Sequence, residues 1–195
     1  MADLAKELTV KYLEANPNYV KVALSVIDNS DFIRASLIAG FAEAVAAGLC
    51  RAFKPEDGWE VRNTISALLR AGKYGEPYTG IYVRRSLWPS ECFVAINAER
   101  GMTYMVYGVW GKGTCEGGLG QRLHAALKDA GHGKLEPPYN AWWRVLPPLD
   151  GIPVRSWRHA PAVIAMHERR SDFVQHLVDL FVCVAVLAGP VLEAA

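Results

Sequence analysis

Carboxylates placed to share a divalent cation would be the clearest chemistry in a chain carrying 20 acidic residues. Such pairs hold a metal or trade a proton with an attacking water. Between Gly58 and Trp110 the acids are Glu60, Glu76, Glu91 and Glu99. Glu99 borders a turn and Glu76 a loop, so solvated surface is the expectation for both. The five histidines, His124, His132, His159, His167 and His176, include no i, i+4 pair flanking a glutamate, the arrangement that binds zinc on one helix face. His124 and His176 fall on helical segments with polar neighbours and are expected to be solvated or hydrogen-bonded. His132 follows Gly131 at a helix end, where a cation suits the dipole. Cys50, Cys92, Cys115 and Cys183 form no C-x-x-C pair, so neither a metal knuckle nor a redox dithiol is indicated. These patterns assign no catalytic residue, no metal ligand and no cofactor.

A glycine-rich stretch, residues 111–120, has the texture of a phosphate cradle but not its spacing. A P-loop needs Ser or Thr after its lysine, and here Gly113 follows Lys112. Glu116 stands where the third glycine of a dinucleotide fingerprint belongs. The stretch reads as a hairpin end. Cations beside aromatic rings are the other chemistry on offer. Trp142, Trp143 and Arg144 form one such group, and Trp157 with Arg158 another. Bases stack on such rings, and interfaces use them as anchors. The surrounding prolines favour tryptophans that pin a long connection to the core while the arginines stay wet. Arg84 and Arg85 are adjacent on a strand, so they point to opposite faces, one structural and one exposed.

The elements that must position these residues come in three blocks. Residues 1–55 read helical. Leu4, Leu8 and Tyr12 recur every four residues, Val20, Leu24 and Ile27 mark a second helix, and Ser30-Asp31 cap a third running through Phe53. Phe32, Ser36 or Leu37, Phe41 and Val45 are its expected buried stripe. Residues 58–110 read as strands: 59–65 alternates apolar and polar, a glycine-bearing loop follows, and 78–87, 92–98 and 102–110 continue, with Glu99-Arg100-Gly101 as a tight turn. Connections this short require antiparallel pairing. A helix at 119–130, an unassigned Pro- and Trp-rich connection, a short helix near Pro161 and a final helix capped by Ser171 complete the chain. The expected fold is α+β, one domain, with a mostly antiparallel sheet of three or four strands flanked by N-terminal and C-terminal helices.

Residues 61–170 carry a net charge of +7, between N-terminal and C-terminal blocks of −3 each. Such a block could face nucleic acid or an acidic partner. The apolar run at 177–188 is shorter than the roughly 20 residues a bilayer span needs, so it reads as a core helix and no membrane contact is expected. The charged N-terminal residues lack a signal-peptide texture. Together with the scattered cysteines, they point to a reducing cytoplasm.

The segments GWEV (58–61), TGIYVRRSLWP (79–89), CFVAINAER (92–100), YMVYGVW (104–110) and the later WWRVL resemble, in order and texture, PD-(D/E)XK nuclease-like proteins of bacteria and phages. The resemblance spans about the C-terminal two-thirds. That family uses an Asp and a Glu-x-Lys set to hold its metal. Here TGIYVRR has no Asp, Glu99 is followed by Arg100 and Gly101, and Asn97 stands in place of a carboxylate. The resemblance therefore implies a degenerate member with its metal site lost. The expected function is a non-catalytic, protein-binding accessory domain, such as a phage or mobile-element protein that blocks a host nucleic-acid or defence complex. The alternatives are a nucleic-acid-binding protein using residues 61–170, or a divergent nuclease using Glu99 with Glu60 or Glu91. Arg84, Arg85, Trp142, Trp143, Arg144, Trp157 and Arg158 are the candidate binding residues.

Overall fold

The computed structural model describes residues 2–73, 76, 79–110, 118–128, 142–149, 151–152 and 154–195. Most of the glycine-rich stretch, with Cys115, lies outside these, as do His132 and the first part of the Pro-rich connection. Helices α1 (Ala2–Glu14), α2 (Pro17–Asp28) and α3 (Ser30–Ala52) precede strand β1 (Trp59–Asn63) and the short α4 (Ile65–Arg70). Strands β2 (Gly80–Arg85), β3 (Phe93–Glu99) and β4 (Tyr104–Trp110) follow, then α5 (Leu119–Lys128), β5 (Trp143–Val145), α6 (Ala160–Glu168) and α7 (Arg170–Glu193). The strands form one antiparallel sheet in the order β1-β2-β3-β4-β5. The class is α+β as expected, but the sheet has five strands rather than three or four.

Directly paired residues in antiparallel strands share a face, so the register sorts the side chains. Trp59 and Val61 join Ile81 and Val83, Val94 and Ile96, then Met105, Tyr107 and Val109 on an inner face. Helix α3 packs against β1 and β2, and α7 against β3 and β4. These two helices also pack on each other, so the core lies between them and the sheet. Both are long and apolar enough to cross a membrane by length and composition alone. Each nevertheless buries a stripe in this core, Ile38, Phe41, Val45 and Leu49 in α3 and Phe173, Leu177, Phe181 and Val184 in α7.

Several local expectations change. The buried stripe of α3 includes Phe41 and Val45 as expected, but it begins at Ala35, Ile38 and Ala39 while Phe32, Ser36 and Leu37 are exposed. Phe32 is 73% exposed. Ser30 and Ser171 lie inside helices, not at their caps. Strand β1 stops at Asn63 because that carboxamide accepts the Ile65 N–H at 3.0 Å, a local turn that starts α4. Ser66 then donates to the Ala39 carbonyl and anchors α4 on α3.

The hairpin between β3 and β4 turns through Arg100, Gly101 and Met102, all left-handed at φ 49°, 64° and 67°. A non-glycine residue in that region carries strain. At Met102 it is offset by complete burial of the side chain and by its carbonyl accepting the Trp157 N–H at 3.0 Å. Strand β5 leans closely over β4. A Cβ at Gly108 would stand 2.1 Å from the Trp142 carbonyl oxygen and 2.6 Å from the Trp143 Cα, so this crossing requires glycine.

Candidate functional site

The opposite face of the sheet collects chemistry that the linear sequence scatters. Glu60 pairs with Arg84 and Arg62 with Tyr82 across β1 and β2, while Phe93 pairs with Trp110 across β3 and β4. Their side chains therefore project outward from the helical layer. A groove of about 350 Å³ opens here, lined by Glu60, Arg62, Thr64, Tyr82, Arg84, Ser90 and Phe93. Its size falls within the range of small-molecule and cofactor sites.

The rings in this groove are held in place. Tyr82 and Phe93 meet edge to face at 5.2 Å. The rings of Phe93 and Trp110 lie nearly parallel, with centroids 6.4 Å apart. The Tyr82 hydroxyl donates to Asn97 Oδ1 at 3.2 Å, which fixes the direction of its ring. Among the described residues neither Arg62 nor Arg84 forms an ion pair, and the buried Arg84 Nε has no hydrogen-bond acceptor. Beside the groove the buried Cys92 thiol is pushed up by desolvation and by the Glu91 carboxylate, against the Arg84 guanidinium, which pulls it down.

The other candidate residues do not gather there. Arg85 faces inward, pairs with Glu193 at the end of α7 and lies over the Trp59 ring at 5.5 Å. Trp142 and Trp157 are completely buried. They meet Tyr107 and Phe41 edge to face, so both are core rings. Arg144 pairs in register with Tyr107 on the inner side, where it lowers a phenol that burial pushes up. Trp143 is half-buried opposite Gly108, and Arg158 is half-buried after Trp157. Only Arg84 of the seven lines the groove. Glu60 enters the sequence reading only as a partner for Glu99, and Arg62, Tyr82 and Phe93 not at all, although Glu60/Arg62 and Tyr82/Arg84 each stand two apart on a strand, the spacing that puts them on one face.

The carboxylates stay apart. Glu60 is level with the Phe93 end of β3, whereas Glu99 ends that strand six residues later, about 20 Å away at ~3.4 Å per residue. Glu91 precedes β3 at the Phe93 end. Glu99 therefore cannot share one metal ion with either. Among the described residues no three His, Cys, Asp or Glu side chains are grouped to hold a metal. His124 and His176, expected to be solvated or hydrogen-bonded, are half-buried, and one nitrogen of each, His124 Nδ1 and His176 Nε2, is buried without a hydrogen-bond partner.

A second surface lies at the other end of the chain. Leu8, Val10 and Tyr12 on α1, Tyr19, Val22, Leu24, Val26 and Ile27 on α2, and Phe32, Ile33 and Leu37 on α3 are all exposed. No residue of α2 is buried. Tyr12 and Tyr19 stack at 5.2 Å and hold α1 against α2. At about half exposure these eleven side chains present roughly 900 Å² of apolar surface, from ~150–200 Å² per side chain. This total is spread over three helices, on a monomer whose largest contiguous apolar patch would ordinarily be a few hundred Å². A groove of about 460 Å³ between α3 and α4, lined by Phe32, Ala35, Ala39 and Leu69 among others, continues this surface onto the body.

No family model, curated protein or solved structure matches this chain.

Proposed function

We propose that this chain is a non-catalytic protein-binding domain that docks through its N-terminal helices. The observation that carries this reading is the apolar surface of α1, α2 and the start of α3. About 800 Å² per partner suffices for a standard protein interface, and the exposed surface reaches that size. The apolar residues of α2 spread around most of its circumference, as in a helix buried between other helices. Lys6, Lys11, Lys21 and Arg34 are balanced by Glu7, Glu14, Asp28 and Asp31, so the arm lacks the cationic excess of a membrane-surface helix. The partner is accordingly a protein presenting an apolar groove or helix. A host nucleic-acid or defence complex as that partner is supported only by the nuclease-like texture of residues 58–110.

The test is a photo-crosslinking amino acid at Leu24, with Glu168 as the control position, in the cell of origin. One discrete protein adduct at Leu24, absent at Glu168 and lost when Val22 and Ile27 are changed to Lys, is the expected result; a second copy of this chain would count as that protein. Lipid adducts, or no adduct at Leu24, would overturn the proposal.

A further inference from the structure

We propose that the outer face of the sheet binds single-stranded nucleic acid. Bases stack along Tyr82, Phe93 and Trp110, and Arg62 and Arg84 receive the adjoining phosphates. This site is separate from the helical arm and does not depend on what the arm binds.

Three observations lead there. The first is the pairing of ring and cation. Tyr82 stands opposite Arg62 across β1 and β2. Phe93 lies one step beyond the Val83–Val94 pair, level with Arg84. A base and its phosphate need that same juxtaposition, a π face beside a positive charge. The second is that, among the described residues, neither cation forms an ion pair, even with Glu60 opposite Arg84 in register, and Arg84 keeps a buried donor without an acceptor. A guanidinium so placed is ready to donate to phosphate oxygen. The third is extent. The near-parallel Phe93 and Trp110 rings continue the row beyond the groove itself. A platform of successive rings suits successive bases rather than one mononucleotide. A sheet is also an apt support, because strand alternation puts Tyr82, Phe93 and Trp110 on one side of a rigid layer, with Tyr82 turned edge to face against Phe93.

The experiment uses the full chain and fluorescence anisotropy with labelled oligo(dT) of about a dozen nucleotides, within the site sizes of known single-strand binders. A duplex of the same length, dTMP and poly-glutamate serve as competitors. Single strand should bind ahead of duplex, and dTMP should compete only weakly. Phe93→Leu keeps the apolar bulk and removes the π face, and should weaken binding at least about five-fold. Arg62→Gln and Arg84→Gln should each lower the slope of log affinity against log salt by ~0.7. Circular dichroism melts confirm that each variant is folded, and because both arginines project outward their variants test the site even if Phe93→Leu unfolds. No binding at low salt, equal binding of duplex, full competition by dTMP, or unchanged salt slopes in folded arginine variants would each overturn the proposal. Competition by poly-glutamate as strong as by unlabelled oligo(dT) would assign the face to acidic protein and would equally overturn it.

Discussion

Arg84 and Arg85 show how adjacent residues of one type divide their work. Arg85 is bound into the fold by Glu193 and the Trp59 ring, so Arg85→Ala should cost about 1 kcal/mol in urea unfolding. Arg84→Gln should stay within about 0.5 kcal/mol, since no ion pair is lost. Strand alternation made the opposite orientations legible, but not which side the helices cover, because that depends on where α3 and α7 pack. Cys92 and Tyr107 supply a pH dependence. Burial raises both above their ordinary values, aided at Cys92 by Glu91 and opposed by Arg84 there and by Arg144 at Tyr107. As pH rises, the unfolded chain therefore releases these protons first. Their stabilisation is complete below the ordinary thiol and phenol values and is lost as pH climbs through the raised ones. Denaturant midpoints should fall progressively on the alkaline side, and Cys92→Ala should flatten the thiol part of that fall. In the native protein iodoacetamide should modify the exposed Cys50 well before the buried Cys92.

Two glycines separate close approach from idle flexibility at the scale of elements. Gly108→Ala places a methyl against the backbone of Trp142 and Trp143, so β5 must detach or shift. A loss of several kcal/mol is expected, about 3 or more, read as a lower melting temperature with changed tryptophan fluorescence. Gly120→Ala in α5 meets nothing within 4 Å and should gain up to about 1 kcal/mol. The meander β1 to β4 was legible because WEVRN alternates and the later strands are rich in β-branched and aromatic residues. Strand β5 was not, since three residues between a proline-rich stretch and Pro147 carry no period. Helix α4 was hidden for another reason. Its six residues continue the apolar content of β1, and only the Asn63 side chain marks the change. The groove escaped notice because Glu60, Arg62, Tyr82 and Phe93 come from three strands, and register rather than spacing joins them.

The whole molecule consists of a packed body and a helical arm that contributes little to it. Deleting residues 1–28 should leave the melting temperature nearly unchanged, because no residue of α2 is fully buried, while reducing the binding of an apolar dye. A large fall in melting temperature would mean that the arm belongs to the core. The composition showed enough apolar residues for a core, but it could not show that so many would stand outside it. The order of the sheet carries a further consequence, for the way the chain folds. Strands β1 to β4 each pair with their neighbour in sequence, so these contacts close short loops and can form early. Helix α3 meets β1, α4 and β2 soon after it is made, but waits for α7, more than 110 residues later, to complete the cover of its apolar stripe. During synthesis, an apolar helix leads a fast-forming sheet that covers one side of it, and its α7-facing side stays open until that helix emerges. A trigger-type chaperone should therefore hold nascent chains that have completed β4 but lack α7, and release them once α7 has left the ribosome.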